Sequence, residues 1–213
     1  AGLRDGASVL DLGCGKGHVA LAIATAFAAS VDGVDAVPEF VEVARGRAAA
    51  AGRSESCRFE TGDLRVAIES AARRYDAVVL VAISGVLGGP HRAIEVLRRA
   101  VREGGLILIE DAVLGATAAP HGYEDYGSAA DVEEAAARLG DTVVLAKLGD
   151  DDDVHDANAR DYRHIAHRAD ELATRDPSLR PALDAYLASQ RAEDHAAGSA
   201  LVSATIVVRV GRD

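Results

Sequence analysis

Val9-Leu10-Asp11-Leu12-Gly13-Cys14-Gly15-Lys16-Gly17 decides the fold: an apolar run ends in a carboxylate and three glycines at alternate positions. The run reads as a buried strand. The glycines read as a turn that reverses tightly, lets backbone N–H groups approach a ligand, and brings the next helix close to the strand. Alternating glycines also occur in plain flexible loops, so the reading depends on a context of strand, turn, helix, strand and acid.

That context follows. Val19, Ala20, Ile23, Ala24 and Phe27 share one helical face, and Ser30 to Val34 forms a second apolar run. Pro38 suits the first turn of a helix that ends near Gly52, and Arg58 to Thr61 is a short third strand. Tyr75 to Ala82 reads as a buried fourth strand, Pro90 opens a helix that Glu103-Gly104-Gly105 ends, and Leu106 to Ile109 is the fifth strand. Strands alternating with helices predict an α/β fold: a doubly wound, mostly parallel sheet covered by helices on both faces. After Asp111 the alternation loosens. Asp131 to Leu139 is helical, Thr142 to Leu148 a strand, Asp150 to Asp153 a solvated acidic turn, and Leu201 to Val210 a closing seventh strand. Between them, Ala157 to Thr174 and Leu179 to His195 are helical, parted by Asp176-Pro177. One domain spanning 1–213 is expected, with 150–198 as a helical cap inserted before the last strand, over one edge or over the pocket.

Composition narrows the partners. With 34 acidic against 23 basic residues and a formal charge of −11, a nucleic-acid partner is disfavoured, because phosphate-backbone binders concentrate Lys and Arg. Cys14 and Cys57 lack metal-ligand spacing, so no metal is expected and a reducing cytoplasm is the simplest setting. No apolar run is long enough for a bilayer, so no membrane partner is expected. No leader precedes the first strand, and the chain opens without Met, which leaves an upstream segment and any N-terminal lid open.

The turn also selects its ligand. A dinucleotide fingerprint would place its third glycine where His18 stands, whereas Gly17 completes Gly-x-Gly-x-Gly. Asp11 would repel a pyrophosphate but suits a cation, which argues against a nicotinamide oxidoreductase. Asp35, twenty positions after Gly15, ends the second strand where a carboxylate can accept from both ribose hydroxyls; its bland alternative is a turn acid or helix cap before Pro38. Asp63 follows the third strand and could accept from an adenine amino group, or simply cap the segment from Leu64.

These residues resemble the class I S-adenosylmethionine-dependent methyltransferases. Val9 to Gly17 is similar to the family's first motif, Gly33-Val34-Asp35 to its ribose-binding strand end, and Gly62-Asp63-Leu64 to its adenine-contacting segment. Tyr75-Asp76-Ala77-Val78-Val79 and Arg102 to Ile109 continue the likeness. The resemblance implies a Rossmann-like methyltransferase fold and S-adenosylmethionine as cofactor, with S-adenosylhomocysteine as product. It assigns Asp11, Gly13, Gly15 and Gly17 to the methionine portion, Asp35 to ribose, and Asp63 with the Leu64 backbone to adenine. Cys14 within the turn and Ala36 beside Asp35 join this set, and Val81 and Ala82 at the end of the fourth strand line the cofactor from the other side.

The acceptor is less legible. The fourth strand ends in Ala82-Ile83-Ser84-Gly85, without the Asn/Asp-Pro-Pro-Tyr/Phe motif of enzymes acting on planar nitrogens, and without the Asp of metal-dependent catechol-type relatives. Glu110-Asp111 either positions a substrate or serves as solvated or capping acids. His121, Tyr123 and Tyr126, in a loop leaving the fifth strand, are the candidate catalytic residues, offering a base and two hydroxyls. His164, His167 and His195 as a metal triad is the weaker reading beside a cap in which Tyr162, Tyr186, Gln190 and Glu193 define the acceptor. The chain is expected to methylate a small-molecule acceptor, with a homodimer left open. The alternative is a protein of the same fold that binds the cofactor without methylating, as a sensor, cyclase or lyase.

Overall fold

Leu10 and Leu12 point to one side of the first strand and Val9 and Asp11 to the other, and this period of two divides the core into two layers. The computed structural model describes residues 2–71, 75–115, 119, 123–149 and 151–211, without the side chains of 151–157, 193 and 195–199. Its elements are β1 (Ser8–Leu12), α1 (His18–Ala26), β2 (Ser30–Asp35), α2 (Pro38–Ala50), β3 (Cys57–Thr61), α3 (Leu64–Glu69), β4 (Tyr75–Val81), α4 (Pro90–Leu97), β5 (Val101–Leu114), α5 (Ala129–Arg138), β6 (Thr142–Leu148), α6 (Asp151–Arg175), α7 (Arg180–Ala200) and β7 (Leu201–Arg209). The seven strands lie in the order β3-β2-β1-β4-β5-β7-β6, and β7 alone runs antiparallel, pairing with β5 and β6 on either side. The winding direction reverses between β1 and β4, the topological switch where open α/β sheets bind ligands.

Each layer is built from one strand face and its helices. Leu10, Leu12, Val78, Leu80 and Ile107 meet Ile94 and Leu97 of α4 and Val132 of α5. Val9, Val31 and Val79 meet α1 and α2 through Ala20, Ala24, Ala44 and Ala48, small residues that bring those helices close to the sheet. Leu12 and Leu80 are fully buried on the central strands. Trimming either to Ala should cost about 2–5 kcal/mol.

Three elements differ from the sequence reading. The fifth strand is 14 residues long: it starts at Val101, paired with Tyr75, so Glu103-Gly104-Gly105 lies within it and the preceding helix ends at Leu97, and its pairing with β7 continues to Leu114↔Leu201, past the last β4 pair at Val81↔Glu110. Asp111 to Leu114 thus run past β4 as a ribbon paired with β7, with Leu114 also bridged to Ser128. Asp151 to Asp153 open α6 and are not a turn, since acidic residues are favoured at the positive end of a helix dipole; Asp150 lies outside the described residues. α7 runs on to Ala200 and feeds β7 directly. The α6–α7 pair is tied internally by an Arg180–Asp170 bond of 2.8 Å and by Arg191 stacked 4.7 Å over the Tyr162 ring.

Candidate functional site

The turn after β1 is held by backbone geometry. Gly13 and Cys14 both donate to the Val34 carbonyl, at 2.8 and 3.1 Å, and Gly17 donates to Cys14 at 2.9 Å. Gly13 has φ +67°, and a Cβ there would lie 2.1 Å from Ile83 Cδ1. Gly17, at φ +78°, would place a Cβ 2.9 Å from that of Ala44, so side chains are excluded where α1 starts against α2.

Asp35 joins three strand ends. Its Oδ2 accepts from the Gly15 amide at 2.8 Å, its Oδ1 from the Val37 amide at 2.9 Å, and its carbonyl from Gly62 at 2.9 Å. It therefore serves the turn before Pro38 and also reaches back to the glycine turn. Asp63 caps α3, with Oδ1 accepting from the Arg65 amide at 2.7 Å, as the bland reading expects. The Arg65 side chain in turn donates to the Val86 carbonyl at 2.8 Å.

Between these strand ends lies a cavity of about 250 Å³. Gly13, Asp35, Ala36, Asp63 and Leu64 line it, five residues named from the sequence. Val34, Gly62, Arg65, Ile83 and Val86 complete the wall. Sequence reading missed Arg65, Ile83 and Val86; the last two lie in and beside a short 3-10 turn, Ser84–Leu87, that no periodicity signals. Their only hint is the apolar character of the segment after Ala82.

Other named residues lie outside that wall. Asp11 is buried at 2% exposure beneath the turn, and its Oδ2 has no hydrogen-bond partner. Burial pushes its carboxyl up to about 7, the nearby Asp35 charge pushes the same way, and the Ala20 amide opposes them. Burial, with the negative charges of Asp11 and Asp35, drives the Cys14 thiol up to about 12, so it stays protonated and unreactive. Gly15 is tied to the wall through Asp35. Val81 and Ala82 end β4, and Ala82 is held at φ +59°, a strained conformation for a residue with a Cβ, by its bond to the Glu110 carbonyl at 2.7 Å.

The acceptor-side residues are partly brought together. Tyr123 and Tyr126 pack edge to face with centroids 5.0 Å apart. The Tyr126 hydroxyl rests over Gly85, where a Cβ would meet it at 3.0 Å. Burial, then the Asp111 charge, raises the Tyr126 pKa, so the phenol stays protonated. It also neighbours the Ser84 side chain, although the fully buried Ser84 Oγ forms no hydrogen bond of good geometry. His121 lies outside the described residues. Asp111 binds backbone: its oxygens accept from the Ser84 and Ala112 amides, each at 2.7 Å. His167 lies 3.7 Å from Glu171 on α6, and the side chains of Glu193 and His195 are outside the description.

The profile of the methyltransferase-domain family matches residues 9–105, the segment that carries the turn, Asp35 and the cavity. Residues 9–105 are thus similar to a methyltransferase domain. The fold is similar to that of a S-adenosylmethionine-dependent methyltransferase from Geobacter sulfurreducens in complex with S-adenosylhomocysteine, at 23% identity and TM-score 0.79, covering 97% of this chain and 85% of that one. A methyltransferase from Thiobacillus denitrificans, also with S-adenosylhomocysteine, aligns at 23% identity and TM-score 0.76 over 99% and 87%. The [4+2]-cyclase SpnF aligns at 21% identity and TM-score 0.67 over 99% and 78%. The cavity's lining suits an adenosyl group such as that of S-adenosylmethionine. The Asp35 carboxylate uses two of about four acceptor positions on amides, leaving capacity for a diol. Val34, Leu64, Ile83 and Val86 offer apolar walls to a flat ring, and Arg65, the cation in the wall, is already bonded to Val86.

Proposed function

We propose that the chain transfers a methyl group to a small-molecule acceptor, with the cofactor held between the glycine turn and the ends of β2, β3 and β4. The observation that carries this reading is the Asp35 carboxylate, fixed by the Gly15 and Val37 amides at the rim of an otherwise largely apolar cavity. In it, Asp35 accepts from the ribose hydroxyls, Asp63 and the Leu64 backbone face the adenine amino edge, and Gly13 to Gly17 pass beneath the methionine portion. Val81 and Ala82 border the sulfur side, and Asp11 lies buried below the turn.

When bound, the cofactor supplies a sulfonium-activated methyl group and leaves as a neutral thioether. The protein's share is to align an acceptor lone pair opposite the departing sulfur and to exclude water. Tyr126, kept protonated, orients an acceptor by hydrogen bonding and does not act as a base, with Tyr123 buttressing its ring. His121 remains the candidate to take a proton from the acceptor. Residues 150–198 serve as a cap on the acceptor side of a single domain, since β6 ends and β7 begins at the ribbon end of the sheet. A reducing cytoplasm suits the two free, buried cysteines.

The likeness to SpnF favours a second reading, in which the cofactor is bound and no methyl group moves. Incubation of the purified protein with methyl-labelled cofactor and fractionated small metabolites separates the two. Label should enter a small molecule and vanish with Asp35→Ala; cofactor binding without label in any fraction would favour the second reading.

A further inference from the structure

Asp111 is the acid whose place in the site the cofactor residues do not explain. It stands where β5 leaves β4 to become the ribbon, and both carboxylate oxygens are engaged by amides, Ser84 from across the β4 end and Ala112 from its own strand. The Ser84 bond bridges 27 positions of sequence and is charge-assisted, the strong class of hydrogen bond. It closes a short segment that is otherwise unfavourable. Ala82 sits at φ +59°, Ile83 follows with φ −142°, and Ser84 is fully buried with an unbonded hydroxyl. A strained residue and an unpaired buried hydroxyl persist only where surrounding contacts over-determine them.

That segment delivers Ile83 to the cofactor cavity. Its Cδ1 occupies the space a side chain at Gly13 would fill, and Ile83 and Gly13 together line the cavity. We infer that Asp111 is a positioning residue that, by gripping the Ser84 amide, seats Ile83 against Gly13 and so sets the β4-side wall of the cofactor cavity. Asp111 touches neither cofactor nor acceptor in this role. It links the ribbon, and through it β7 and the inserted helices, to the cofactor site, so a shift of the ribbon would be felt as a change in cofactor affinity. The inference rests on the cofactor reading of the cavity given above.

A double-mutant cycle tests it. S-adenosylhomocysteine dissociation constants are measured by calorimetry for the full chain, Asp111→Asn, Ile83→Ala and the double variant, alongside amide exchange of each ligand-free protein. Asp111→Asn should weaken binding about tenfold, and Ile83→Ala by a similar factor. The double variant should be little worse than either alone, because the acid acts through the isoleucine. Exchange at 82–86 should accelerate in ligand-free Asp111→Asn. An unchanged constant in a folded Asp111→Asn protein, a loss that multiplies in the double variant, or unaltered exchange at 82–86 would each overturn the inference while leaving the cofactor reading intact. Failure of the unsubstituted protein to bind S-adenosylhomocysteine would overturn both.

Discussion

Asp35 Oδ2 accepts a 2.8 Å hydrogen bond from the Gly15 amide, twenty residues away in sequence, so the acid after β2 and the turn after β1 form one rigid unit. Asp35→Ala should release that unit and remove the diol acceptor together. S-adenosylhomocysteine affinity should fall at least 30-fold, about 2 kcal/mol, as expected for losing hydrogen bonds to a charged group. Calorimetry of the folded variant checks it.

Asp11 ties the site to pH. Its carboxyl is raised from 3.8 to about 7 in the folded protein. Below about 4 both folded and unfolded chains hold the proton and it has no effect. Between about 4 and 7 the folded chain keeps a proton that the unfolded chain has lost, so this contribution to stability declines as pH rises and levels off above about 7. Asp11→Asn should remove that decline. Urea unfolding should show the variant gaining on the unsubstituted protein between pH 5 and pH 8, toward a limit on the order of 4 kcal/mol. Equal pH slopes for the two proteins would contradict it.

Gly13→Ala should separate stability from binding. The left-handed φ of +67° costs an alanine roughly 1–2 kcal/mol, and the new Cβ displaces the flexible end of Ile83 from its seat. The denaturation midpoint should shift modestly, while S-adenosylhomocysteine binding should fall more than tenfold.

Asp141 supplies the converse case. Its fully buried carboxylate holds Arg98 at 3.3 Å and the Gly211 amide at 2.8 Å, at the sheet end opposite the cavity. Asp141→Ala removes the carboxylate that holds both the Arg98 guanidinium and the Gly211 amide and should cost about 3 kcal/mol of stability. S-adenosylhomocysteine affinity, measured where the variant is folded, should stay within twofold.

What the sequence made legible follows from where its constraints are local. Val9 to Gly17 and Asp35 were readable because a tight turn and a strand-end acid leave fixed spacing, and the structure joins them through one hydrogen bond. The inserted helices were readable from apolar spacing and from Asp176-Pro177. The reach of β5 to Leu114 was not, because that stretch is a strand only through its partner β7, some ninety residues later. Ile83 was equally hidden: its place opposite Gly13 depends on a strained Ala82 and on Asp111, neither of which leaves a pattern. Asp111 itself was seen as an acid near the crevice. Only the structure shows its oxygens turned to backbone amides.

The central claim is that the cavity beside Asp35 takes a phosphate-free adenosyl cofactor. Titration calorimetry of the purified protein with S-adenosylhomocysteine and, separately, with NAD tests it most directly. One equivalent of S-adenosylhomocysteine should bind, Asp35→Ala should lose that binding, and NAD should give no heat of binding. Saturable binding of NAD with none of the thioether would contradict the claim.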